Sequence, residues 1–127
     1  MSTVFVSAPD GRVDGYYAIA ATGVSPASAP ERVTKGVPRH PVPMILLARL
    51  AVDVRAQGSG LGRALVADAM RRVAAVADQV GVRALLVHAK DQAAREFYLS
   101  LARFEQSPTD ELHLFLLLKD LRRAIAA

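Results

Sequence analysis

The sequence contains no cysteine and no long uninterrupted hydrophobic run. Without cysteine, the chain cannot form a disulfide-bonded secreted scaffold, a cysteine-ligated zinc site or a thiol nucleophile. Its longest apolar stretches are well short of the roughly 20 residues that a membrane-spanning helix needs. The N-terminal region also lacks the basic and apolar segments of a signal peptide. We therefore expect a soluble protein that works in the cytoplasm.

The length of 127 residues is that of one ordinary domain, and we expect a single domain over residues 1–127. Hydrophobic residues make up 52% of the chain, which excludes a disordered polymer. The 16 basic and 12 acidic residues give a formal net charge of +4. A charge of this size is weak evidence for an anionic partner.

The N-terminal part predicts a β-hairpin followed by a proline-rich segment. Two apolar runs, at residues 3–7 and 12–21, flank Asp10 and Gly11, and an Asp-Gly pair between such runs favours a hairpin turn. Five of the seven prolines then lie within residues 23–43. We predict an irregular segment there, which is either a functional loop or a solvated one.

The middle of the chain predicts a strand–helix–strand unit. Residues 44–54 are almost all apolar, as in a central strand that is covered on both faces. A helical repeat runs from Leu61 to Val80 and ends at Gly81, with apolar residues at positions 61, 65, 69, 73, 76 and 80. Residues 82–89 form a second apolar strand, and a helical crossover between two such strands makes them parallel.

The C-terminal part predicts a helix, a strand and a short final helix. Asp91 is placed to cap a helix over residues 92–101. A strand at residues 112–118 and a helix at 120–127 complete the order β-β-loop-β-α-β-α-β-α. This order predicts a mixed α/β (α+β) fold around one central sheet.

Three glycines at alternate positions mark the junction between the first central strand and its helix. At Gly58, Gly60 and Gly62 the backbone can present free N–H groups at the positive end of the helix, where an anion such as a pyrophosphate binds. The third glycine comes one position too early for a dinucleotide fingerprint, and the loop lacks the Gly-Lys-Ser/Thr of a P-loop. The alternative is that the glycines serve only a tight strand–helix turn.

Two motifs of this chain resemble those of the GNAT acetyltransferase superfamily. The first is its coenzyme A loop, Gln/Arg-x-x-Gly-x-Gly/Ala, at residues 57–62, and the second is the pair Phe97-Tyr98 on the next helix. Over residues 3–119 the chain is further similar to the GNAT toxins of bacterial toxin–antitoxin pairs, which acetylate the free amine of charged tRNA. The stretches that carry this likeness are residues 15–18, 38–43, 47–53, 87–89 and 97–101.

The resemblance implies a GNAT fold in which acetyl-CoA lies between two parallel strands that splay apart, here residues 45–53 and 82–89. It implies that Tyr98 is the acid that protonates the departing sulfur, with Phe97 close by, and it implies no metal. The backbone that would pair with the pantetheine arm is that of Leu50, Ala51 and Val52. The loop implied for the pyrophosphate comprises Gln57, Gly58, Ser59, Gly60, Leu61 and Gly62. Arg63 would add charge there, unless it is a plain surface arginine.

For the acceptor, the resemblance implies an aminoacyl-tRNA whose phosphates meet a basic lip. We predict Arg39, His40 and Arg49 as acceptor-binding residues. The rest of this lip would be Arg32, Lys35 and Arg55. A small-molecule amine or a protein N-terminus is the alternative acceptor, and an inactive fragment that binds acetyl-CoA or an antitoxin is the alternative class. The implied partners are a ribbon-helix-helix antitoxin and a second copy of the chain.

Two histidines near the end of the predicted second central strand and in the last strand have different expected roles. His88 is either a base that acts through water or a structural histidine whose hydrogen bonds are satisfied within the fold. His113 is flanked by leucines, and we expect it to be structural.

The chain departs from the GNAT pattern at two places. Members usually carry a strand and two helices before the hairpin, whereas this sequence starts at the hairpin. They also have a Gly-Phe where the Phe-Tyr helix ends, whereas Ala102 and Arg103 precede Phe104 here. The second departure leaves the exit of that helix open.

Overall fold

The computed structural model describes residues 2–9, 11–36 and 41–126, which form six strands and four helices. No helix in this described part is long and apolar enough to cross a membrane. The strands are β1 (Ser2–Ser7), β2 (Gly15–Val24), β3 (Val42–Val52), β4 (Ala84–His88), β5 (Glu105–Gln106) and β6 (His113–Leu117). The helices are α1 (Glu31–Thr34), α2 (Leu61–Val80), α3 (Gln92–Leu101) and α4 (Leu118–Ala126).

All six strands belong to one mixed sheet in the order β1-β2-β3-β4-β6-β5. Strands β3 and β4 are parallel and are joined by α2, whereas every other neighbouring pair is antiparallel. The predicted mixed α/β fold with a parallel central pair is therefore confirmed. The short strand β5 is absent from the prediction, because a two-residue strand has no periodicity to detect.

The local signals for the two long helices are confirmed at their ends. Asp91 caps α3 by accepting a hydrogen bond from the N–H of Ala94 at 2.9 Å. Gly81 ends α2 with a positive φ of 69°. The predicted apolar stripe of α2 is incorrect for the C-terminal end of the helix. Val76 and Val80 are exposed there, whereas Ala77 is buried. At 100° per residue, Ala77 lies about 40° from Val73 around the helix, and is therefore closer to the buried line than Val76, at about 60° on the other side.

The proline-rich segment is more ordered than predicted. It contains a 3-10 turn at Pro26–Ser28 and the single turn α1, from which Val33 is fully buried. Arg32 forms ion pairs with Glu105 and with Asp120, the latter at 3.2 Å. Because these charges are paired across the fold, Arg32 does not belong to a free basic lip. The acceptor-binding predictions at Arg39 and His40 lie outside the described residues.

The core has two parts, one on each face of the sheet. Leu85 and Val87 of β4 face the cluster that packs against α2, α3 and α4. Their neighbours Ala84 and Leu86 face the opposite cluster, which Ala29 and Val33 of the proline-rich segment cover. Alternation along a strand places successive side chains on opposite faces, so β4 is buried on both sides. The proline-rich segment is thus the cover of the second face.

A bulge in β3 opens the sheet at the end of the parallel pair. Ala18 of β2 pairs with Arg49 but its neighbour Ile19 pairs with Leu47, so that Ala48 is an extra residue. The parallel pairing of β3 with β4 stops at the same place, since Leu47 opposite Val87 is the last pair. Because a bulge bends its strand, β3 leaves β4 here and residues 48–52 keep a backbone edge with no strand partner in the described fold.

Candidate active site

The gap that follows the bulge is a cleft of about 370 Å³ between the diverging strands and α3. Its lining residues come from β2, β3, the end of β4 and α3. They are Tyr16, Leu47, Ala48, Arg49, Leu50, His88, Lys90, Ala94, Phe97 and Tyr98. The two parallel strands therefore diverge as predicted, and Tyr98 lines the cleft between them. We call this cleft the acetyl end of the site.

A second cleft of about 480 Å³ continues from the first toward the N-terminus of α2. Leu50 and Phe97 line both clefts, so the two clefts adjoin at these residues, and we refer to the pair as the channel. The remaining lining residues of this second cleft are Val52, Ala56, Gln57, Gly58, Gly60, Leu61, Gly62 and Arg63. We call it the glycine-loop end of the site.

The backbone conformation of the glycine loop explains its sequence. Gly58 and Gly60 have φ values of +81° and +87°, a region that other residues rarely adopt, and a Cβ at either position would point into open space. A Cβ on Gly62 would lie 3.5 Å from the ring of Phe97, so this glycine lets α3 pack close to the loop. The loop leaves room for an anion beside the first N–H groups of α2, which have no partner within a helix.

Hydrogen bonds from the loop to the end of β3 hold it in place. Gln57 donates its side-chain amide to the carbonyl oxygen of Val52 at 3.3 Å. Asp53 accepts from the backbone N–H of Arg55 at 2.8 Å and from its guanidinium at 3.0 Å. These two contacts lower the pKa of Asp53 to about 2. Arg55 is therefore engaged with Asp53, which weighs against its predicted place in a free basic lip.

Tyr98 is held by aromatic packing at the acetyl end. Phe97 and Phe104 each meet its ring edge to face, at centroid distances of 5.3 and 5.9 Å. The side chain is 7% exposed, and burial raises the pKa of its hydroxyl to about 12. Helix α3 ends at Leu101 with Ala102 extended, and this exit brings Phe104 onto Tyr98 without a glycine. The hydroxyl therefore stays protonated at neutral pH and is able to donate a proton.

The charged side chains that line the acetyl end are basic. Arg49 and Lys90 are exposed, and neither forms an ion pair with another described residue. None of the described lining residues is acidic. This end of the channel thus carries positive charge that no described acidic residue neutralises.

A histidine pair adjoins the same end. His88 lines the cleft, and its imidazole stacks on that of His113 with ring centroids 3.9 Å apart and an interplanar angle of 17°. Burial and the neighbouring His113 lower the pKa of His88. His113 in turn lies 3.4 Å from the carboxylate of Asp110.

Most of the residues predicted for the site are brought together by the fold. Of the predicted cofactor residues, all but Ala51 and Ser59 line the channel, and Arg49 lines its acetyl end. Ser59 instead turns its hydroxyl to the carbonyl oxygen of Ala56. Sequence reasoning missed Lys90 and Tyr16. Lys90 comes directly after the strand predicted at residues 82–89, and its place at the end of that strand could have predicted it as a site residue.

Comparison with known proteins identifies the family and several relatives. Residues 8–102 match the Acetyltransferase (GNAT) family. A tRNA-acetylating toxin of Mycobacterium tuberculosis is 53% identical over 124 residues, which are 98% of this chain and 74% of the toxin.

Solved structures with the same fold include two of the toxin AtaT. AtaT complexed with acetyl-methionyl-tRNAfMet has 31% identity and a TM-score of 0.83, with 94% of this chain and 73% of that chain covered. A tyrosine-to-phenylalanine mutant of AtaT, bound to the C-terminus of the antitoxin AtaR and to acetyl-CoA, has 32% identity and a TM-score of 0.71. That match covers 91% of this chain and 67% of the mutant. The present chain thus spans between two thirds and three quarters of the length of these proteins.

Proposed function

This chain belongs to the GNAT acetyltransferase family, and on that basis we propose that it transfers the acetyl group of acetyl-CoA to the free α-amine of an aminoacyl-tRNA. The observation that carries the proposal is the channel that joins a glycine loop to a buried tyrosine. The choice of acceptor is supported by the tRNA-acetylating toxin of Mycobacterium tuberculosis, which is 53% identical to this chain over the 124 aligned residues. Acetylation of charged tRNA would block translation, so the protein would act as a toxin.

The channel fits acetyl-CoA through its backbone. We assign the pantetheine arm to the free edge of β3 at Leu50, Ala51 and Val52, because an extended ligand can pair with an unpartnered strand edge as an added strand. We assign the pyrophosphate to the loop from Gln57 to Gly62, where the first N–H groups of α2 are unpaired. Arg63 lines the same cleft, and its guanidinium is placed to neutralise phosphate charge.

Tyr98 is the proposed acid for the leaving group. Acetyl-CoA supplies the acetyl group, and attack of an amine on its thioester carbonyl releases the coenzyme as a thiolate. The hydroxyl of Tyr98 is protonated at neutral pH because burial raises its pKa to about 12. It can therefore give its proton to the sulfur. Phe97 lies at the junction of the two clefts and fixes the ring of Tyr98 by an edge contact.

Arg49 is the described residue that we propose for the acceptor. It is exposed on the rim of the acetyl end, where Lys90 adds a second positive charge. The phosphates of a tRNA 3′ end are held by such residues irrespective of sequence and in a salt-dependent way. Arg39 and His40 remain proposals from the sequence alone.

The biological setting that we propose follows from the same relatives. AtaT has been solved with the C-terminus of its antitoxin AtaR, and we propose that this chain is neutralised by a ribbon-helix-helix antitoxin. We further propose that residues 1–127 form a single domain that pairs with a second copy of itself. Since its acceptor is charged tRNA, its place of action would be the cytoplasm.

Transfer of labelled acetate to different acceptors tests this function. The purified chain is incubated with acetyl-CoA labelled in the acetyl group and with charged tRNA, uncharged tRNA, free amino acid amides or a peptide. We expect label on charged tRNA alone, and the label should be released with the amino acid when the ester is hydrolysed. Label on amides or peptides but not on tRNA would identify a small-molecule or N-terminal acetyltransferase. Binding of acetyl-CoA without any transfer would identify an inactive binding module.

A further inference from the structure

The histidine pair at the acetyl end has a geometry that a purely structural role does not require. His88 and His113 are directly opposite each other on β4 and β6, and their rings stack face to face at 3.9 Å. His88 is exposed and lines the same cleft as Tyr98. None of the side-chain hydrogen bonds between described residues involves the ring of His88. One ring of the pair thus lines the cleft and the other is its stacking partner.

Two imidazole rings in stacking contact strongly disfavour a charge on both. Asp110 lies 3.4 Å from the Nε2 atom of His113. The pKa of His88 is lowered first by burial and then by His113, against a weaker opposing effect of Asp110. The uncharged form of His88 is therefore favoured near neutral pH.

The other described side chains that line the cleft with His88 include two cationic groups and two tyrosines. Arg49 from β3 and Lys90 after β4 line the cleft beside it and are cationic. Tyr16 from β2 and Tyr98 from α3 line the same cleft. The described lining offers His88 no carboxylate that would hold it in the protonated form.

We propose that His88 accepts the proton of the acceptor's ammonium group, and that His113 is a positioning residue that keeps His88 unprotonated. This inference rests on the proposed amine acetylation. An α-amine has a pKa of about 8, so much of it arrives protonated at neutral pH and cannot attack a carbonyl.

The proton balance of this step is complete. An N–H bond of the ammonium breaks, its electron pair stays on nitrogen, and the proton goes to the free ring nitrogen of His88. The amine then forms the N–C bond while the C–S bond breaks. Tyr98 protonates the sulfur, and the proton lost by the new amide nitrogen restores its hydroxyl. His88 returns its own proton to solvent through its exposed ring.

Three variants separate a role in proton transfer from a role in packing. His88→Asn removes the proton acceptor. His113→Phe keeps an aromatic ring stacked on His88 but removes its charge, and His113→Asn removes both. The titration of the His88 Cε1 proton is followed by NMR, and the single-turnover rate of acetyl transfer to charged tRNA is measured from pH 5.5 to pH 8.5 or thereabouts. Thermal unfolding of each variant shows whether it is folded.

We expect both His113 variants to raise the pKa of His88 toward its ordinary value of about 6.5. Their acetyl-transfer rates should then fall at acid pH and match the wild type at alkaline pH. We expect His88→Asn to lose roughly a hundredfold in rate near pH 7, the usual size of a general-base contribution. Its remaining rate should follow only the ionisation of the acceptor amine.

Several results would overturn the inference. Equal titration of His88 in the wild type and in His113→Phe would show that His113 does not control it. An unchanged rate and pH profile in a folded His88→Asn variant would show that His88 accepts no proton. If the wild-type chain transfers acetate to no amine, the proposed function fails and the inference fails with it. If the wild-type chain is active and the histidine variants keep its rate and pH profile, the role proposed for the histidine pair is refuted and the proposed function stands.

Discussion

The two ends of the channel recognise their ligands by different means. At the glycine-loop end the features that matter are backbone features: positive φ values at Gly58 and Gly60 and the unpaired first N–H groups of α2. At the acetyl end they are side chains, namely the buried hydroxyl of Tyr98, the stacked ring of His88 and the exposed guanidinium of Arg49. One end therefore depends on chain conformation and the other on the identity of a few side chains.

This difference determines how each end should respond to substitution. Removal of a reacting group at the acetyl end, such as the hydroxyl of Tyr98, should slow the chemical step and leave acetyl-CoA binding intact, because that binding is supplied by the glycine-loop end. A change at the glycine loop should weaken acetyl-CoA binding and leave the chemical step of bound molecules intact. Separate measurement of affinity and of single-turnover rate distinguishes these two outcomes.

The largest effect is expected from Tyr98→Phe. This variant keeps the ring and its edge contacts with Phe97 and Phe104 but has no proton to give to the sulfur. We expect the single-turnover rate of acetyl transfer to fall by roughly a hundredfold or more. The affinity for acetyl-CoA, measured by calorimetry, should stay within about twofold of the wild type, since a hydroxyl that only donates in the transition state adds little to binding.

Tyr17→Phe is the matched control for this variant. Tyr17 is also buried, but its hydroxyl donates to Asp68 of α2, and the residue lines a different cleft from the acetyl end. Its removal should leave the transfer rate unchanged. An equal loss of rate in both variants would mean that tyrosine burial, and not a proton from Tyr98, supports activity. An unaffected rate in Tyr98→Phe would remove the contrast between the two ends.

A smaller effect is expected from Gly60→Asp, which places a carboxylate where the pyrophosphate is proposed to bind. Asn and Asp tolerate the left-handed conformation of position 60 better than other side chains do, so Gly60→Asn is a control of nearly equal shape. We expect Gly60→Asp to bind acetyl-CoA about tenfold more weakly than Gly60→Asn, or roughly 1.4 kcal/mol. The difference in acetyl-CoA affinity between the two variants should become smaller in high salt.

Equal affinities of the two Gly60 variants would place the pyrophosphate elsewhere. A loss of single-turnover rate at saturating acetyl-CoA would also count against the comparison, because it would show that the glycine loop takes part in the chemistry. The salt dependence separates a charge effect from strain, since backbone strain does not respond to ionic strength.

The sequence predicts the glycine-loop end better than the acetyl end for a physical reason. A loop that binds through its backbone needs glycine at particular positions, and Gly58, Gly60 and Gly62 occur at alternate positions of one short segment, where they form a visible pattern. The cap at Asp91 is equally local, and the structure places it as predicted.

The acetyl end depends on contacts between distant parts of the chain, which no local pattern shows. The stack of His88 on His113 exists only because β4 and β6 pair in one register. Arg32 looked like part of a basic lip, but its partners Glu105 and Asp120 lie 73 and 88 positions away along the chain. The family resemblance predicted Tyr98 as a site residue, whereas only the structure shows that this residue is buried against Phe104.

The smallest effect is expected from pH, and it tests whether the acetyl end holds its proton by burial. Burial raises the pKa of Tyr98 to about 12, whereas an unfolded tyrosine ionises near pH 10. The folded state thus keeps a proton that the unfolded state loses, so this contribution to stability is complete below pH 10 and is lost as pH rises through 12. At pH 11 the free energy of unfolding has lost the equivalent of about one pKa unit of this contribution, or roughly 1 kcal/mol. Denaturant titrations at pH 9 and pH 11 should therefore show a smaller stability loss for Tyr98→Phe than for the wild type. Equal losses would mean that the hydroxyl of Tyr98 ionises as an exposed tyrosine does. The acetyl end would then not differ from the glycine-loop end in the burial of its functional group.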